Sequence, residues 1–431
     1  MVTNIEHIIN YFKSGIRDTK DFKIGIEHEK FLFNQNENKR ADYKTILKMF
    51  DALSEFGWKP IMEKKNIIGL QKEGKNITLE PGNQIELSGD KLNNIHEACS
   101  ESHDYLFELE QVTKKIGLKI VSAGFDPIST LGEVPNNPKQ RYEVMTRDMP
   151  NGGSLSLDMM YRTCGTQLNL DYNSEEDFIK KFKIINSLVP ISIALFANSS
   201  IVEKKNSGYM SYRSKVWQET SRGGLPEVFF DNMNFEKYAD FAINFPLLFI
   251  QNDKEYLSGK NYTFSDFMKG NVKEISNRLP TENDLATHLS TVFTENRLKK
   301  YIELRSMDTC GWDCLCAGPA FNTGILYGNL DETFELISKW DKNKIINAYL
   351  EAPKKGFNTE LMGKDLLYWS SLLLNLSKKG LESRDILNKS GENETKFLNH
   401  LEKLIHNKTT NADHMINKFS KDENLTELYD K

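Results

Sequence analysis

The sequence lacks several features that would assign the chain to a common class of protein. No apolar run in its 431 residues approaches the roughly 20 residues of a membrane span. The N-terminal segment has none of the basic, apolar and small-residue zones of a secretory signal. The formal net charge is -5, so the composition provides no general attraction to nucleic acid or to an anionic membrane. We therefore predict a globular protein with no nucleic-acid partner and no membrane partner.

Cysteine is scarce, with five residues in the whole chain. A small and odd number is typical of a reducing compartment rather than of a disulfide scaffold, so we predict a cytoplasmic location. Three of the five crowd into the stretch CGWDCLCAG: Cys310, Cys314 and Cys316. Their spacing does not match a tetrahedral zinc site, and no nearby histidine completes one. The sequence therefore favours ordinary buried thiols at these positions.

The sequence also contains no phosphate-binding glycine motif. The pattern GxxxxGK[ST] is absent, and no GxGxxG follows a predicted strand. Any nucleotide site must therefore use another architecture. Arginine can serve instead, because its planar guanidinium matches phosphate and carboxylate groups. The candidates in polar, glycine-containing or aromatic segments are Arg141, Arg147, Arg162, Arg213, Arg222, Arg297 and Arg305. A surface ion pair is the simpler interpretation for Arg141, Arg147 and Arg222.

Hydrophobic periodicity predicts a mixed fold. Helices are expected over residues 3–20, 41–57, 91–117 and 175–198, and from about 330 to the end. Strands are expected in GIEHEKFLF, RTCGTQLNLDY and LKKYIELRSMD, and a hairpin in NITLEPGNQIELSG. We find no internal repeat or clear linker. The simplest arrangement is one α+β catalytic domain, residues 1–330, with a helical C-terminal subdomain, residues 331–431, packed on the same unit.

Carboxylates recur on one face of the predicted strands. Glu27 and Glu29 lie two residues apart in a strand and so share a face, opposite His28. If residues 81–83 form the hairpin loop, four polar side chains share a face: Thr78, Glu80, Gln84 and Glu86. In YIELR, Glu303 alternates with apolar neighbours. We expect His28, on the opposite face from the acids, to be a packed histidine rather than a metal ligand.

Two interpretations fit this acidic pattern. Any single pair of glutamates can be explained by the solvent-exposed face of an antiparallel sheet. Glutamate is, however, disfavoured in strands, and like charges on neighbouring positions repel. A divalent cation removes that repulsion, and magnesium binds carboxylates while keeping positions open for phosphate oxygens. Recurrence on three strands therefore favours a carboxylate floor for metal–nucleotide chemistry.

Several long motifs resemble those of the plant-type glutamate–cysteine ligases, a family shared by plants and many bacteria. They occur in the family's order over about residues 20–330: GIEHEKFLF, GWKPIMEKKNIIGL, ITLEPGNQIELSG, MPNGGSLSLDMMYRTCGTQLNLDY, ALFANSSI, GYMSYRSKVWQET and FTENRLKKYIELRSMD. The resemblance implies a funnel-like antiparallel sheet similar to that of glutamine synthetase. It also implies ATP- and Mg²⁺-dependent ligation of the L-glutamate γ-carboxylate to the L-cysteine amine, the first step of glutathione synthesis.

The resemblance also implies roles for individual residues. The implied magnesium ligands are Glu27, Glu29, Glu80, Glu86 and Glu303. Arg213 is expected to bind the α-carboxylate of glutamate, and Trp217 is expected to form one wall of the amino-acid pocket. Gln167, Asn169 and Arg162 are expected to line the same cavity, although strand alternation places Arg162 opposite Gln167. Arg297 or Arg305 is expected to stabilise charge that develops during catalysis.

Alternatives from other classes remain open at this point. A related ligase with another amine acceptor would keep the acids and Arg213. A phosphoryl transferase of the guanidino-kinase type would form no amide, and a non-enzymatic metal-binding protein would not turn over nucleotide. No cysteine lies between Cys164 and Cys310, so the hairpin cysteine pair implicated in redox control of plant members is absent. We therefore expect a monomer or weak homodimer whose activity changes little under mild oxidation.

Overall fold

The computed structural model describes residues 1–252 and 255–420. Its helices are α1 Ile5–Lys13, α2 Tyr43–Leu53, α3 Ile95–Ile116, α4 Gln140–Asp148, α5 Ser156–Arg162, α6 Glu175–Leu195, α7 Tyr212–Gln218, α8 Phe235–Asn244, α9 Phe264–Met268, α10 Glu282–Ser290, α11 Trp312–Leu315, α12 Ala317–Thr323, α13 Leu330–Ile337, α14 Lys342–Lys355, α15 Leu366–Arg384, α16 Asn399–Asn407 and α17 Asn411–Phe419. Its strands are β1 Ile24–Asn34, β2 Lys59–Glu63, β3 Asn66–Lys72, β4 Lys75–Leu79, β5 Ile85–Ser88, β6 Leu118–Val121, β7 Gly165–Leu170, β8 Ile201–Val202, β9 Lys205–Asn206, β10 Phe249–Asn252, β11 Glu255–Ser258, β12 Asn296–Leu298, β13 Ile302–Asp308, β14 Glu360–Leu361 and β15 Lys364–Asp365.

Nine strands form one sheet in the order β12-β13-β7-β1-β5-β4-β3-β2, with β6 also paired to β1. All of these pairings are antiparallel. The predicted α+β class with an antiparallel core is therefore confirmed. Strand β1 lies between β5 and β7, so the residues of the opening motif occupy the middle of the sheet.

The hairpin has the predicted register. Thr78 pairs with Glu86, and the Glu80 amide donates to the Gln84 carbonyl at 2.9 Å. Asn83 adopts a left-handed conformation with φ 59° in the turn, which asparagine tolerates better than most residues. Alternation along β4 and β5 then buries Ile77 and Leu87 on the face opposite the acids.

Strand alternation also separates the two faces of β1. His28 and Lys30 are fully buried on one face, while Glu27 and Glu29 are half-buried on the other. The His28 ring packs 5.5 Å from the ring of Tyr105 on α3, which agrees with a packed histidine. Helix α3 begins at Ile95, four residues after the predicted start at 91, because the Asn94 side chain caps it by accepting from the backbone N–H of Glu97.

The C-terminal helices share the main apolar core with the catalytic sheet. Buried Leu373 and Leu401, from α15 and α16, belong to the same cluster as Ile24 of β1 and Leu168 of β7. This continuity agrees with a helical region packed on one unit, while the boundary at residue 330 stays a prediction. Residues 421–431 of the predicted subdomain lie outside the described residues. Within the described ranges, no helix is long and apolar enough to cross a membrane.

The cysteines correct an expectation drawn from the sequence. Cys99 of α3 forms a disulfide with Cys316, and Cys310 forms one with Cys314. Only Cys164, which is buried, is a free thiol in the described residues. The prediction of ordinary thiols in the CGWDCLCAG stretch is therefore wrong. Pairing of Cys99 with Cys316 depends on the packing of α3 against a segment 217 residues later, which no local pattern reveals.

Candidate active site

One cleft lies over the exposed face of the central strands. The cavity has a volume of about 200 Å³. The sheet contributes the floor, and α4, α5 and α7 contribute walls. The polar and charged residues that line it are Glu27, Glu29, Glu80, Gln84, Glu86, Arg141, Tyr142, Thr163, Gln167, Arg213, Ser290, Thr291, Arg297 and Arg305. The larger apolar side chains are Met145, Met159, Met160, Trp217, Phe249 and Phe293.

The structure brings four of the five predicted metal-binding glutamates to this cleft, and each has a hydrogen-bond donor nearby. Asn169 Nδ2 donates to Glu27 Oε1 at 2.7 Å. The Gly165 backbone N–H donates to Glu29 Oε2 at 2.6 Å. The Thr78 hydroxyl donates to Glu86 Oε2 at 2.6 Å. The Tyr142 hydroxyl lies 2.9 Å from the Leu79 carbonyl and 3.2 Å from Glu80 Oε1, so its one proton is shared between them. These bonds orient the carboxylates toward a shared space.

Neighbouring carboxylates disfavour the ionisation of Glu29 and of Glu86. Burial, and next the neighbouring Glu80, raise the pKa of Glu29 to about 7. Burial followed by the three other glutamates raises the pKa of Glu86 well above its usual range. Such repulsion between carboxylates is relieved by a bound cation. Within the described residues, however, no three acidic, histidine or cysteine side chains stand close enough to form a ready-made metal site.

The fifth predicted ligand, Glu303, is placed differently. Its carboxylate is fully buried and forms ion pairs with three cations: Arg297 Nη2 at 2.7 Å, Arg305 Nη1 at 2.7 Å and Lys299 Nζ at 2.9 Å. Although burial opposes ionisation, these cations hold the pKa of Glu303 well below its usual range. Both carboxylate oxygens are engaged, and Glu303 does not line the cleft. We therefore revise its role from metal ligand to anchor of the arginines.

The two arginines beside Glu303 differ in their free hydrogen-bonding capacity. Arg297 forms two bonds to Glu303 and donates Nη1 to the Ser290 carbonyl at 2.6 Å. Arg305 Nη1 donates to Gln167 as well as to Glu303, but its Nε has no hydrogen-bond partner. Gln167 also donates to Glu29 Oε1 at 3.4 Å. Of the two predicted charge-stabilising residues, Arg305 is therefore the one that has an N–H group without a hydrogen-bond partner.

Arg213 and Trp217 lie together on the short helix α7. Arg213 Nη2 donates to the Arg305 carbonyl at 2.8 Å, while its Nε and Nη1 have no hydrogen-bond partner. The guanidinium groups of Arg213 and Arg305 lie 5.3 and 5.4 Å from the Trp217 ring centroid. A Cβ on Gly165 would lie only 2.7 Å from Arg213 Nη2, so glycine there permits the close approach. Arg213 Nη1 also forms an ion pair with Asp308 Oδ1 at 4.0 Å. Two buried donors without hydrogen-bond partners at a cleft wall suit a carboxylate.

Arg162 and Asn169 do not line the cleft. Arg162 ends helix α5 rather than beginning strand β7, and it pairs with Asp158 at 2.8 Å and with Glu203 at 3.1 Å. Its guanidinium also lies 4.6 Å from the Phe125 ring centroid. The predicted substrate contact of Arg162 is therefore corrected, because the helix turns it away from the position that strand alternation assumed. Asn169 reaches the site only through Glu27.

The structure adds residues that sequence reasoning missed. Arg141, assigned to a surface ion pair, lines the cleft together with its neighbour Tyr142. Arg222 is buried and donates to the Thr291 and Pro246 carbonyls, so its surface assignment is also wrong. Arg147 does form the expected surface pair, with Asp148. The signal available for Arg141 was its place in RYEVM, four positions before Met145 and so on the same helix face as that cleft residue.

Comparison with known proteins agrees with this geometry. A family model described as glutamate–cysteine ligase family 2 matches residues 23–431. The chloroplastic glutamate–cysteine ligase of Nicotiana tabacum is 39% identical over 417 residues, covering 95% of this chain and 79% of the relative. The chloroplastic enzyme of Arabidopsis thaliana is 37% identical over 421 residues, covering 96% of this chain and 80% of the relative.

A solved structure agrees at the level of the fold. The glutamate–cysteine ligase of Francisella tularensis in complex with AMP has a TM-score of 0.51 at 13% identity, covering 92% of this chain and 84% of that chain. At this identity the likeness shows the fold alone, and it confirms the predicted fold class.

The relatives also correct the predicted location. Those from Nicotiana tabacum, Solanum lycopersicum and Arabidopsis thaliana are all chloroplastic enzymes, so the cytoplasmic prediction is contradicted. That prediction depended on the small number of cysteines, which does not distinguish these compartments. The match to the family model and the identity over nearly the whole chain leave the assignment itself unambiguous: this chain belongs to glutamate–cysteine ligase family 2.

Proposed function

We propose that the chain joins the γ-carboxylate of L-glutamate to the amine of L-cysteine at this cleft, using ATP and Mg²⁺, to give γ-glutamylcysteine for glutathione synthesis. Membership of the family supports the reaction. The observation that carries the assignment of the cleft is its composition, with four glutamates on its floor and arginines on its walls. Carboxylates suit the metal and arginines suit the anionic substrates.

The donor set fits magnesium. Glu27, Glu29, Glu80 and Glu86 supply hard oxygen ligands of the kind that Mg²⁺ prefers. Their mutual repulsion, expressed in the raised pKa values of Glu29 and Glu86, is relieved by a bound cation. When bound, the metal neutralises charge on the transferring phosphoryl group. We assign Glu303 no ligand role, since its oxygens are already occupied by Arg297, Arg305 and Lys299.

The chain's own residues then position glutamate and the developing charge. Arg213 uses Nε and Nη1 to hold the α-carboxylate of glutamate, with Trp217 against the substrate's carbon chain. The γ-carboxylate attacks the γ-phosphorus of ATP, ADP leaves, and γ-glutamyl phosphate forms. Arg305, held in place by Glu303 and Gln167, directs its unpaired Nε toward charge that develops in this step.

The second step needs no protein nucleophile. The cysteine amine attacks the carbonyl of γ-glutamyl phosphate and an amide bond forms. The bond between the carbonyl carbon and the phosphate oxygen breaks, and the departing phosphate takes up the amine proton. The chain's cysteines take no covalent part, because four of them form disulfides and Cys164 is buried, where burial raises the pKa of its thiol well above the usual range.

The test is product identification combined with removal of single charges. The wild-type chain is incubated with ATP, Mg²⁺, glutamate and cysteine, and product and ADP are measured by mass spectrometry and a coupled assay. Reactions that omit one component or contain EDTA serve as blanks. Glu27→Gln, Glu29→Gln and Glu80→Gln keep size but remove charge. Since loss of partners that merely orient a metal ligand already costs about 10- to 100-fold, we expect each variant to lose about 100-fold or more.

Glu143→Gln is the matched control, because Glu143 is exposed on α4 and does not line the cleft. It should retain wild-type turnover. Near-normal activity in two of the three cleft variants, or full wild-type activity in EDTA, would reject the carboxylate floor. A product other than γ-glutamylcysteine would favour a ligase with another acceptor, and ATP consumption without an amide product would favour a phosphoryl transferase.

A further inference from the structure

A buried carboxylate at the end of β13 contacts the residues that begin helix α7. Asp308 is 2% exposed and does not line the cleft. Its Oδ2 accepts from the backbone N–H of Asn198 at 2.9 Å and from the Ser199 hydroxyl at 2.7 Å. Its Oδ1 lies 2.9 Å from the Ser211 hydroxyl, whose one proton is shared with Ser214 Oγ, also at 2.9 Å. None of the proposed steps uses this carboxylate.

These contacts fix the first turn of α7. Ser211 is the N-cap of the helix, and its side chain accepts from the Ser214 backbone N–H at 3.1 Å. The Ser199 hydroxyl, while it donates to Asp308, accepts from the Arg213 backbone N–H at 3.1 Å. The carboxylate is therefore connected through one hydroxyl to the backbone of Arg213 and through another to the cap of its helix.

The same carboxylate faces the Arg213 guanidinium without a direct hydrogen bond to it. Arg213 Nη1 lies 4.0 Å from Asp308 Oδ1, and neither Nη1 nor Nε has a hydrogen-bond partner. Glu303 differs, because its Oε1 contacts Arg297 Nη2 at 2.7 Å and so occupies that donor. Coulomb attraction extends beyond hydrogen-bond range. Asp308 therefore compensates the buried charge of Arg213 and leaves its donors available to a ligand.

The position of Asp308 is itself constrained by its surroundings. A Cβ on Gly124 would overlap the Asp308 carboxyl group, so glycine permits the close approach there. The Asn198 side-chain amide donates to the Thr309 carbonyl at 2.9 Å, which joins the segment before β8 to the end of β13. Burial raises the pKa of the Asp308 carboxyl, and the Arg213 charge opposes that rise. The carboxylate is thus held in place from both sides.

We infer that Asp308 is a positioning residue for the glutamate substrate. It fixes the first turn of α7 against β13 and keeps the Arg213 guanidinium at the cleft, with Nε and Nη1 available to the α-carboxylate. This inference rests on the proposed function, in which Arg213 binds that carboxylate. Asp308 lies outside the cleft and acts through Arg213, so loss of its charge should weaken the binding of glutamate but not of ATP or cysteine.

The first test is the effect of one charge on three Michaelis constants. Asp308→Asn keeps the size of the side chain but removes its charge. Because a misplaced Arg213 loses a charge-assisted bond to glutamate, the KM for glutamate should rise about tenfold or more, while those for cysteine and ATP stay within about threefold. Asp177→Asn is the matched control, since Asp177 is also buried but pairs at 2.8 Å with Lys181, which does not line the cleft. It should leave all three constants near the wild-type values.

A double-mutant cycle separates positioning from general support of the fold. If Asp308 acts through Arg213, Asp308→Asn should add little to the KM for glutamate once Arg213→Lys has been made. Ser199→Ala is a milder variant, because it removes the hydroxyl that connects Asp308 to the Arg213 backbone. It should raise the KM for glutamate about threefold or more and leave that for cysteine unchanged. Because a KM is independent of the folded fraction, partial misfolding of a variant does not obscure it.

The outcomes separate this inference from the proposed function. Suppose that the wild type forms γ-glutamylcysteine but Asp308→Asn leaves the KM for glutamate unchanged or raises all three constants equally. The positioning role is then rejected and the function stands. Additive effects of Asp308→Asn and Arg213→Lys also reject it, because they would show that Asp308 does not act through Arg213. If the wild type forms no γ-glutamylcysteine, the proposed function fails and this inference fails with it.

Discussion

The disulfide between Cys99 and Cys316 should be a major source of stability. It joins α3 to the start of α12 across a sequence separation of 217 residues, whereas Cys310 and Cys314 are separated by 4. Cross-linking restricts the unfolded chain by an amount that grows with the logarithm of loop length. That relation gives about 5 kcal/mol for the long loop and about 2 kcal/mol for the short one at 25 °C. The free energy of unfolding of a domain is about 5–15 kcal/mol. Loss of the long cross-link should therefore remove a large fraction of that free energy.

The assay is urea-induced unfolding of wild type, Cys99→Ser and Cys310→Ser, each with and without dithiothreitol. We expect the midpoint of the wild type to fall markedly on reduction. Without reductant, Cys99→Ser should lose about 5 kcal/mol and Cys310→Ser about 2 kcal/mol relative to the oxidised wild type. On reduction, Cys99→Ser should lose only about 2 kcal/mol more. Cys164→Ser is the control: Cys164 is free, so its substitution should leave the response to dithiothreitol unchanged.

Two results would refute this reasoning. A wild type with the same midpoint in oxidising and reducing buffer would show that the disulfides do not stabilise the fold. Equal destabilisation by Cys99→Ser and Cys310→Ser would show that loop length is not the cause. The separate expectation that mild oxidation leaves activity little changed stays a prediction, and turnover measured on the same samples decides it.

Two further predictions concern substrate binding and pH. Arg213→Lys should raise the KM for glutamate about tenfold or more, far more than the KM for cysteine, because it loses the donors at Nε and Nη1; a larger effect on cysteine would show that Arg213 serves the acceptor. Burial lowers the pKa of His288 to about 4, from an ordinary value of 6.5. The pKa of His288 is lower in the folded state than in the unfolded state, so its contribution to the free energy of unfolding is fully present above pH 6.5. About 3 kcal/mol of that free energy is lost as the pH falls from 6.5 toward 4. The urea midpoint should therefore fall less between pH 7 and pH 4 in His288→Gln than in the wild type. His406→Gln, which changes an exposed histidine, is the control and should behave like the wild type. If the midpoints of all three proteins fell equally with pH, the assignment would be contradicted.

The sequence by itself determined the local geometry of the catalytic sheet. Alternation in β1 predicted Glu27 and Glu29 on one face, and the Pro-Gly-Asn turn fixed the pairing of Thr78 with Glu86. These features depend on the two-residue period of a strand and on turn chemistry, both of which act between neighbours. The order of the long motifs was also enough to predict the family.

Only the tertiary structure decided which side chains reach the cleft. Arg162 turns away because helix α5 extends to it, and Arg141 turns in because α4 packs beside the hairpin. Glu303 was predicted as a ligand, but residues from β12 and β13 converge on it and occupy both of its oxygens. The union of Cys99 with Cys316 likewise depends on two segments that are distant in sequence. Such outcomes depend on long-range packing, which places the side chains of one element against those of another. The local sequence pattern around a residue contains no information about which distant residue it will contact.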